Sequence, residues 1–341
     1  MALLKELLKR NLHILAAKFG QHTRTSKQPE LLILMYHRVL PLEDSRTNLE
    51  EPGMVVTPET FHQNLTTLAK YFDFVSLSDW LEKKKNNQPL PLKACAITFD
   101  DGWADNYEYA FPILHNLNIP ATIFLVSEMI GTTNMFWPER LARTIKVIAS
   151  EHPEYWSHPD TQWLQARNPD YQFDSTTPNR EQLSRIINNT KHFSDHEIHE
   201  HLDKLHESLN IIITPEQAPL LSWEQVTELE ASGIIEFGSH TCQHTRLNNS
   251  TPADITEHEI INSKKQIKNR TANTIKTFCF PNGDHSNLAL EFVQQNYLGA
   301  VTTQSGWNTN KSDTHLLQRI GIHEDIAHDK ISFLARISGW F

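Results

Sequence analysis

Cysteine is scarce: Cys95, Cys242 and Cys279 are all there is in 341 residues, so no disulfide framework can be built. Two of the three fall in apolar or strand-like contexts that suit reduced, buried thiols, and a reducing compartment is the simpler expectation. Long hydrophobic runs are missing as well. The longest, such as residues 31–36, fall far short of the roughly 20 residues a membrane-crossing helix needs. Positive charge is in deficit, with 31 Lys and Arg against 41 Asp and Glu and a formal net charge of −10, which excludes a general binder of phosphate backbones and hence nucleic acid as a partner. Internal repeats and low-complexity tracts are also lacking. What remains, at 39% hydrophobic and 21% charged residues, is an ordinary globular composition. The length admits two domains or one α/β barrel with an insertion.

The first residues, MALLKELLKRNLHILAAKFG, do not form a secretory signal, because Lys5, Glu6, Lys9 and Arg10 interrupt the apolar core; no export is expected, and the location expected is cytoplasmic. Leu4, Leu8, Leu12 and Leu15, with Leu3, Leu7 and Ile14 beside them, recur at helical spacing, while Lys5, Lys9, Arg10 and Lys18 make a polar side. That pattern is a basic amphipathic helix. It either packs on its own domain or a sister subunit, or docks residues 1–20 on the inner face of a membrane.

Four segments follow from the pattern changes: residues 1–28, helix and linker; 29–128, strand and helix in alternation; 129–220, helical stretches and polar loops rich in Trp, His, Asn and Pro; and 221–341, where the alternation resumes. LLILMYHRV is a buried strand that delivers His37 at its end. ACAITF at residues 94–99 is a second, and DDG follows at once as a turn. IPATIFLV, IIEFGS, TIKTFCF, GAVTT and LLQRIGI read as further strands, with helices between them. Ser222 and Thr57-Pro58 mark two of the helix starts. Strand and helix alternating at this spacing make a parallel sheet, and the fold expected is a distorted, incomplete (β/α) barrel with a mostly helical insertion. The histidines from His192 to His206 lie among Glu, Asp and Lys and read as a solvated helix face.

Asp100 and Asp101 sit where barrel enzymes keep their chemistry, and adjacent strand residues alternate faces, so the two carboxylates can take separate tasks. Alone, one of them could as well cap the next helix. GSHTCQHTRL places His240 and His244 four residues apart. If that segment turns helically, both imidazoles face one side, at the spacing a zinc-type ion takes from two nitrogens. Two histidines and a carboxylate leave positions open for water and substrate, as hydrolytic rather than structural metal sites do.

As an ordered set, LMYHRV at 34–39, TFDDGW at 98–103, GSHTCQH at 238–244 and FPNG at 280–283 closely resemble the polysaccharide deacetylase (NodB-homology) family of carbohydrate esterases. The resemblance covers residues 31–126 and 221–322. It implies a distorted (β/α) barrel, Asp100 as general base, and Asp101, His240 and His244 as ligands of one divalent metal, usually Zn2+, with Co2+ or Ni2+ as substitutes. It implies hydrolysis of N-acetyl groups from an amino sugar in a polysaccharide or glycan precursor. The backbone N–H of Asn282 would help form the oxyanion hole, and His323 would be the acid that protonates the leaving amine. Departures from the pattern matter: Cys279 stands where the family has an arginine, and the setting of His323 is not the usual one. A carboxylate base in a partly desolvated site needs a cation to hold its ionisation and rotamer, so another arginine should take over; Arg319, near the end of the last strand, is the candidate. His37 is an alternative proton donor or a substrate-binding residue, and Pro281, Trp103 and Trp307 lie at loop positions suited to contact a sugar. Two rival functions remain: a barrel without turnover that binds glycans, and a deacetylase of a non-polymer amide or ester. The oligomeric state is not legible.

Overall fold

The computed structural model describes residues 2–215 and 219–341, and the side chains of all of these except residues 2–6, 48 and 49. The parts expected of Leu3, Leu4, Lys5 and Glu6 in the first helix lie outside the described side chains. Two compact units are present: residues 1–42, 53–131 and 220–341 make the first, and 43–52 with 132–219 the second.

In the first unit nine strands among the described residues form one sheet: β1 (Glu30–Tyr36), β2 (Asp73–Phe74), β3 (Lys93–Phe99), β4 (Ala121–Leu125), β5 (Ile235–Ser239), β6 (Thr277–Cys279), β7 (Gly299–Val301), β8 (Asn308–Thr309) and β9 (Ile320–Gly321). The path is β8-β1-β3-β4-β5-β6-β7, with β9 also on β1 and β2 on β3, and all pairs are parallel except β8 with β1. Helices Pro58–Leu68, Leu77–Lys85, Phe111–Leu117, Trp223–Ala231, Ala253–Lys268 and Asn287–Asn296 make the crossovers. Leu31 to Leu34 are all fully buried, as expected of a parallel strand covered on both faces rather than one with a wet side. Inside the curled sheet, Leu31, Ile33, Ala94, Ala96, Phe124, Cys279, Val301 and Leu317 pack in one cluster.

The barrel is incomplete, as the sequence led us to expect. Between β7 and β9 no ladder forms among the described residues; the gap is crossed by an isolated bridge, Val301 with Leu317, and a few scattered backbone hydrogen bonds. The strand expected over LLQRIGI is therefore much shorter, just Ile320–Gly321. The reason lies in the hydrogen bonds: Leu317 N–H donates to Ala300 O at 3.0 Å, on the β7 side, and Ile322 N–H to Met35 O at 3.0 Å, on β1. A segment that serves two neighbours in turn cannot form a long ladder with either.

The first helix, Ala2–Phe19, packs on its own unit beside the helix Lys330–Arg336. Ala16 is fully buried, Arg10 pairs with Asp329 at 2.8 Å, and a Cβ on Gly20 would fall 2.5 Å from that of Ser338, so only glycine allows this approach. No helix among the described residues is long and apolar enough to cross a membrane.

The second unit is helical, with Trp137–Glu151, Gln162–Arg167, Arg180–Thr190 and Asp195–Leu209 around a core that includes Leu141, Ile145, Ile186, Ile198, Leu202 and Leu205. The histidines of the last of these helices are not simply solvated. His199 Nδ1 accepts from Arg140 Nη1 at 3.1 Å, His206 bonds Thr144 Oγ1 at 2.7 Å, and His201 stacks on Trp163 at 4.7 Å; their helical spacing turns them towards neighbouring helices while His192 and His196 stay exposed.

Candidate active site

The register of β1 on β3 runs from Glu30 opposite Lys93 to Tyr36 opposite Phe99, and Asp100 N–H continues it to Tyr36 O at 3.0 Å. The two strand ends thus bring His37 and Asp100 together, with His37 Nε2 3.9 Å from Asp100 Oδ2. Asp100 points into the curled sheet, on the same face as Thr98. Asp101 leaves the strand in a left-handed conformation, φ 74°, an expensive geometry for a residue with a Cβ and one that aims its carboxylate elsewhere.

Arg319 sits on the segment that bridges the gap in the ring, and there its fully buried side chain spans the interior. Its Nη1 and Nη2 donate to Asp100 Oδ1 and Oδ2, both at 2.7 Å; Nη1 also reaches Thr98 Oγ1 at 3.2 Å, Nη2 reaches Cys279 Sγ at 3.2 Å, and Nε donates to Thr302 O at 2.9 Å. A two-pronged fit of this kind fixes both charge and rotamer. Burial pushes Asp100 up, but the Arg319 guanidinium, joined by His240 and His37, outweighs it and holds the carboxyl below its ordinary value. The small thiol at position 279 is what leaves room for that guanidinium. Burial pushes the Cys279 thiol up, away from reactivity.

His240 and His244 also converge on the carboxylate pair, though not by a helical turn as the spacing led us to expect. The segment is a loop with Thr241 at φ 69° and His244 at φ 63°, and these two left-handed residues fold it back so that both rings meet Asp101. His240 Nδ1 lies 2.8 Å from Cys279 O; a carbonyl only accepts, so Nδ1 carries a proton and Nε2 is the nitrogen turned to Asp101. His240 Nε2 and His244 Nε2 stand 3.5 Å and 3.4 Å from Asp101 Oδ1. That oxygen is buried and has no hydrogen-bond partner. The distances are long for hydrogen bonds, yet match the separation of about 3.4 Å between two donors that share one ion at 2.0–2.2 Å. An orphaned buried oxygen facing two imidazole nitrogens fits a divalent cation, and the three ligand atoms lie within 4.8 Å of one another. Burial raises Asp101 and the imidazoles more than offset it, so its carboxyl sits well below the usual range.

Trp103 is not free to stack on a sugar, and Trp307, half-buried, is held by its ring edge. Trp103 is buried at 2% exposure, its Nε1 donates to Asp101 Oδ2 at 2.9 Å, and the Arg38 guanidinium covers its ring at 4.2 Å. Trp307 packs on Phe72 at 5.5 Å and donates to Ile337 O at 3.1 Å. Both sit in loops, but indole N–H groups with buried partners hold them in place. Pro281 is buried at the start of a tight turn in which Asn282 is left-handed, φ 54°, and the Thr303 hydroxyl pins that turn by donating to Asn282 O at 3.0 Å. His323 faces a cavity shared with His37 and Arg319, and its Nδ1 lies 3.2 Å from Asp325 Oδ2.

Some supporting residues escaped sequence reading. Asp105, fully buried, accepts from Arg38 Nε at 2.9 Å and from Val39 N–H at 2.7 Å, tying the end of β1 to the turn after β3. Its place soon after the paired aspartates was the one signal, and nothing in the sequence paired it with Arg38.

The family model described as polysaccharide deacetylase matches residues 87–301, more than half of the chain. A stretch of 111 residues is 34% identical to the poly-beta-1,6-N-acetyl-D-glucosamine N-deacetylase of Staphylococcus epidermidis; it covers 30% of this chain and 38% of that protein. The chain thus spans about two fifths of the length of the curated relatives it matches. Among solved structures, the Streptococcus pyogenes deacetylase PplD, in complex with acetate, is similar at TM-score 0.58 and 18% identity over 92% of this chain and 99% of that one. IcaB from Ammonifex degensii is similar at TM-score 0.56 and 18% identity, over 90% and 97%. At such identity the structures speak for the fold alone, an incomplete barrel of mostly parallel strands. The family match spans the aspartate turn and the histidine loop that meet at the open end of this sheet, and on it the chain belongs to the polysaccharide deacetylase family.

Proposed function

We propose that this chain is a metal-dependent deacetylase that hydrolyses the N-acetyl group of an amino sugar within a glycan. The observation that carries the reading is the Arg319–Asp100 pair beside Asp101, whose orphaned oxygen faces two imidazoles: a binding module needs no ionised base held in a fixed rotamer. Asp101, His240 and His244 would hold one divalent cation, Zn2+ suiting two nitrogens and a carboxylate, with Co2+ or Ni2+ as alternatives. When bound, such an ion polarises the acetamide carbonyl and lowers the pKa of water.

The chain's own groups then share the proton traffic. Asp100, kept ionised by Arg319, takes a proton from the attacking water. The water oxygen bonds to the carbonyl carbon, and we assign the Asn282 N–H as donor to the oxyanion. His323, whose Nδ1 is held by Asp325, presents Nε2 to the leaving nitrogen; as the C–N bond breaks, that nitrogen takes a proton and leaves as the free amine, with acetate as the other product. His37, 3.9 Å from Asp100, lies on the substrate side. The named staphylococcal relative makes a β-1,6-linked N-acetylglucosamine polymer the first substrate to try. Acetate release over a panel of N-acetylated glycans, small amides and esters, with and without chelator, tests the reading. Release from glycans that stops on chelation and returns with Zn2+ supports it; release indifferent to chelation, or none from any glycan, overturns it.

We further infer that the first helix rests on an anionic membrane surface. Leu8, Leu12, Leu15 and Phe19, 45–58% exposed, fall on one helical face, turned by roughly 90° from the side that buries Ala16 and Gly20, and Lys9 and Lys18 flank that stripe on either side. Two lysines beside an apolar stripe, on a chain of net charge −10, favour anionic lipid over a second copy of the same acidic protein.

A further inference from the structure

Next to Asp100 lies a cavity of about 240 Å³ at the open end of β1 and β9. Its walls carry two arginines, Arg319 and Arg336, two histidines, His37 and His323, and the hydroxyls of Thr303 and Ser305, and no carboxylate among the described lining residues, while Asp100 stands behind Arg319 and Asp325 behind His323. In a chain with 41 acidic and 31 basic residues, a pocket wall with that balance is unusual. Arg319 is already committed to Asp100. Arg336 pairs with no acid among the described residues: it is half-buried in the last turn of the helix Lys330–Arg336, and its Nε donates to Gly321 O at 3.3 Å. Burial alone draws its pKa down, with no neighbouring carboxylate to draw it back. A guanidinium taken partly out of water without a counter-charge is costly to fold around, and it is a ready fork for an oxyanion.

We propose that this cavity binds an anionic oxygen group, a phosphate ester or a carboxylate, carried by the substrate next to the acetamido group, with Arg336 as its principal contact. The proposal rests on the deacetylase reading for the words "carried by the substrate", and on the geometry alone for the anion site. Arg336 supplies the paired N–H donors, Ser305 a hydroxyl, and His37 a ring N–H. The cavity exceeds one phosphate in size, so part of the sugar ring that bears it fits as well. Arg319 and His37, which both belong to the cavity and to the surroundings of Asp100, place that group beside the reacting amide. An anionic substituent would then set the register of the glycan in the site, and neutral glycans would lack that anchor.

Binding and turnover separate the two parts. Inorganic phosphate and acetate are each titrated by calorimetry into the full chain, its Arg336→Gln variant and its Arg336→Lys variant, with chelated and metal-loaded samples compared and folding checked by circular dichroism. The expected result is phosphate or acetate affinity that drops at least tenfold in Arg336→Gln, is partly restored in Arg336→Lys, and does not depend on metal. Affinity indifferent to the Arg336→Gln change, affinity lost on chelation, or no binding at tens of millimolar, overturns the anion site whether or not the protein deacetylates anything. In the second arm, kcat/KM is compared for N-acetylglucosamine oligomers with and without a phosphate ester. Preference for the phosphorylated oligomer that shrinks at least tenfold in Arg336→Gln supports the substrate assignment. A preference unchanged by the substitution overturns it.

Discussion

Asp100 and Arg319 are more than 200 residues apart and close one ion pair in the dry interior of the barrel, and the consequences of breaking it can be worked out in sign. A carboxylate base works only while ionised, and Arg319 keeps Asp100 below its ordinary value. Activity should therefore persist to lower pH with the arginine than without it, and Arg319→Ala should move the acid limb of the kcat/KM profile to higher pH while metal content stays unchanged. Leaving a buried carboxylate unpaired also costs about 3–5 kcal/mol, so the denaturant midpoint should fall. Arg319→Lys, which keeps the charge but loses the fork, should fall between. An acid limb identical in all three proteins would show that Asp100 is not the base. Asp100→Asn should retain metal and lose turnover by on the order of 10²–10⁴-fold. Trp103 offers a second residue-scale check, because its Nε1 donates to Asp101 Oδ2. Trp103→Phe removes that donor and little volume, and a lost partner of a ligating carboxylate typically lowers metal affinity 10–100-fold. Metal affinity measured by competition with a chromophoric chelator would reveal it; an unchanged value would reduce Trp103 to packing.

At the scale of elements, the first helix shows how an amphipathic pattern can be satisfied on the wrong-looking face. Its packed side uses the small residues Ala16 and Gly20, and the leucine stripe is left facing water. The sequence pattern admits two readings, packing or lipid; the structure shows the packing, and the stripe beside it stays available for the lipid surface proposed above. Replacing Leu12 and Leu15 by Asp, which leaves the packed face intact, should abolish pelleting with vesicles rich in phosphatidylserine without lowering thermal stability. Equal pelleting of the variant and the parent would exclude the lipid surface, and a marked drop in melting temperature would mean that the stripe packs in solution. The histidine loop shows the converse. A spacing of four suggested one helical turn, whereas two left-handed residues, Thr241 and His244, bring the rings together in a loop.

For the molecule as a whole, the curled sheet ties stability to the site, because the interior that packs the core also holds the charge pair. Gly238 on β5 faces that interior: a Cβ there would lie 2.4 Å from the Phe124 ring and 2.7 Å from Thr277 Oγ1, and Phe124 is in turn 5.8 Å from the Arg319 guanidinium. Gly238→Ala should thus destabilise by about 1–3 kcal/mol through overpacking, and displace Arg319 enough to lower turnover. Chemical denaturation together with acetate release would test both; a variant as stable and as active as the parent would mean that the sheet opens at no cost. Much of this architecture was legible beforehand, since strands such as β1 and β3 are continuous apolar runs, and runs of that kind followed by DDG or GSH place polar groups at the strand ends whatever their neighbours are. Strand identity, helix caps at Thr57 and Ser222, and the nearness of Asp101 to a histidine pair follow from local pattern and an ordered motif set. Other features were beyond that reach. That Trp103 turns inward to Asp101 and Trp307 to Ile337, that Arg38 pairs with Asp105, and that Arg336 stands beside a cavity with no acid paired to it among the described residues all depend on which distant segments the curl of the sheet brings together. Local sequence determines the propensities and polarities of each segment because these rest on near neighbours, while partner choice across more than a hundred residues is decided only when the tertiary fold sets the distances on which charge and hydrogen bonding depend.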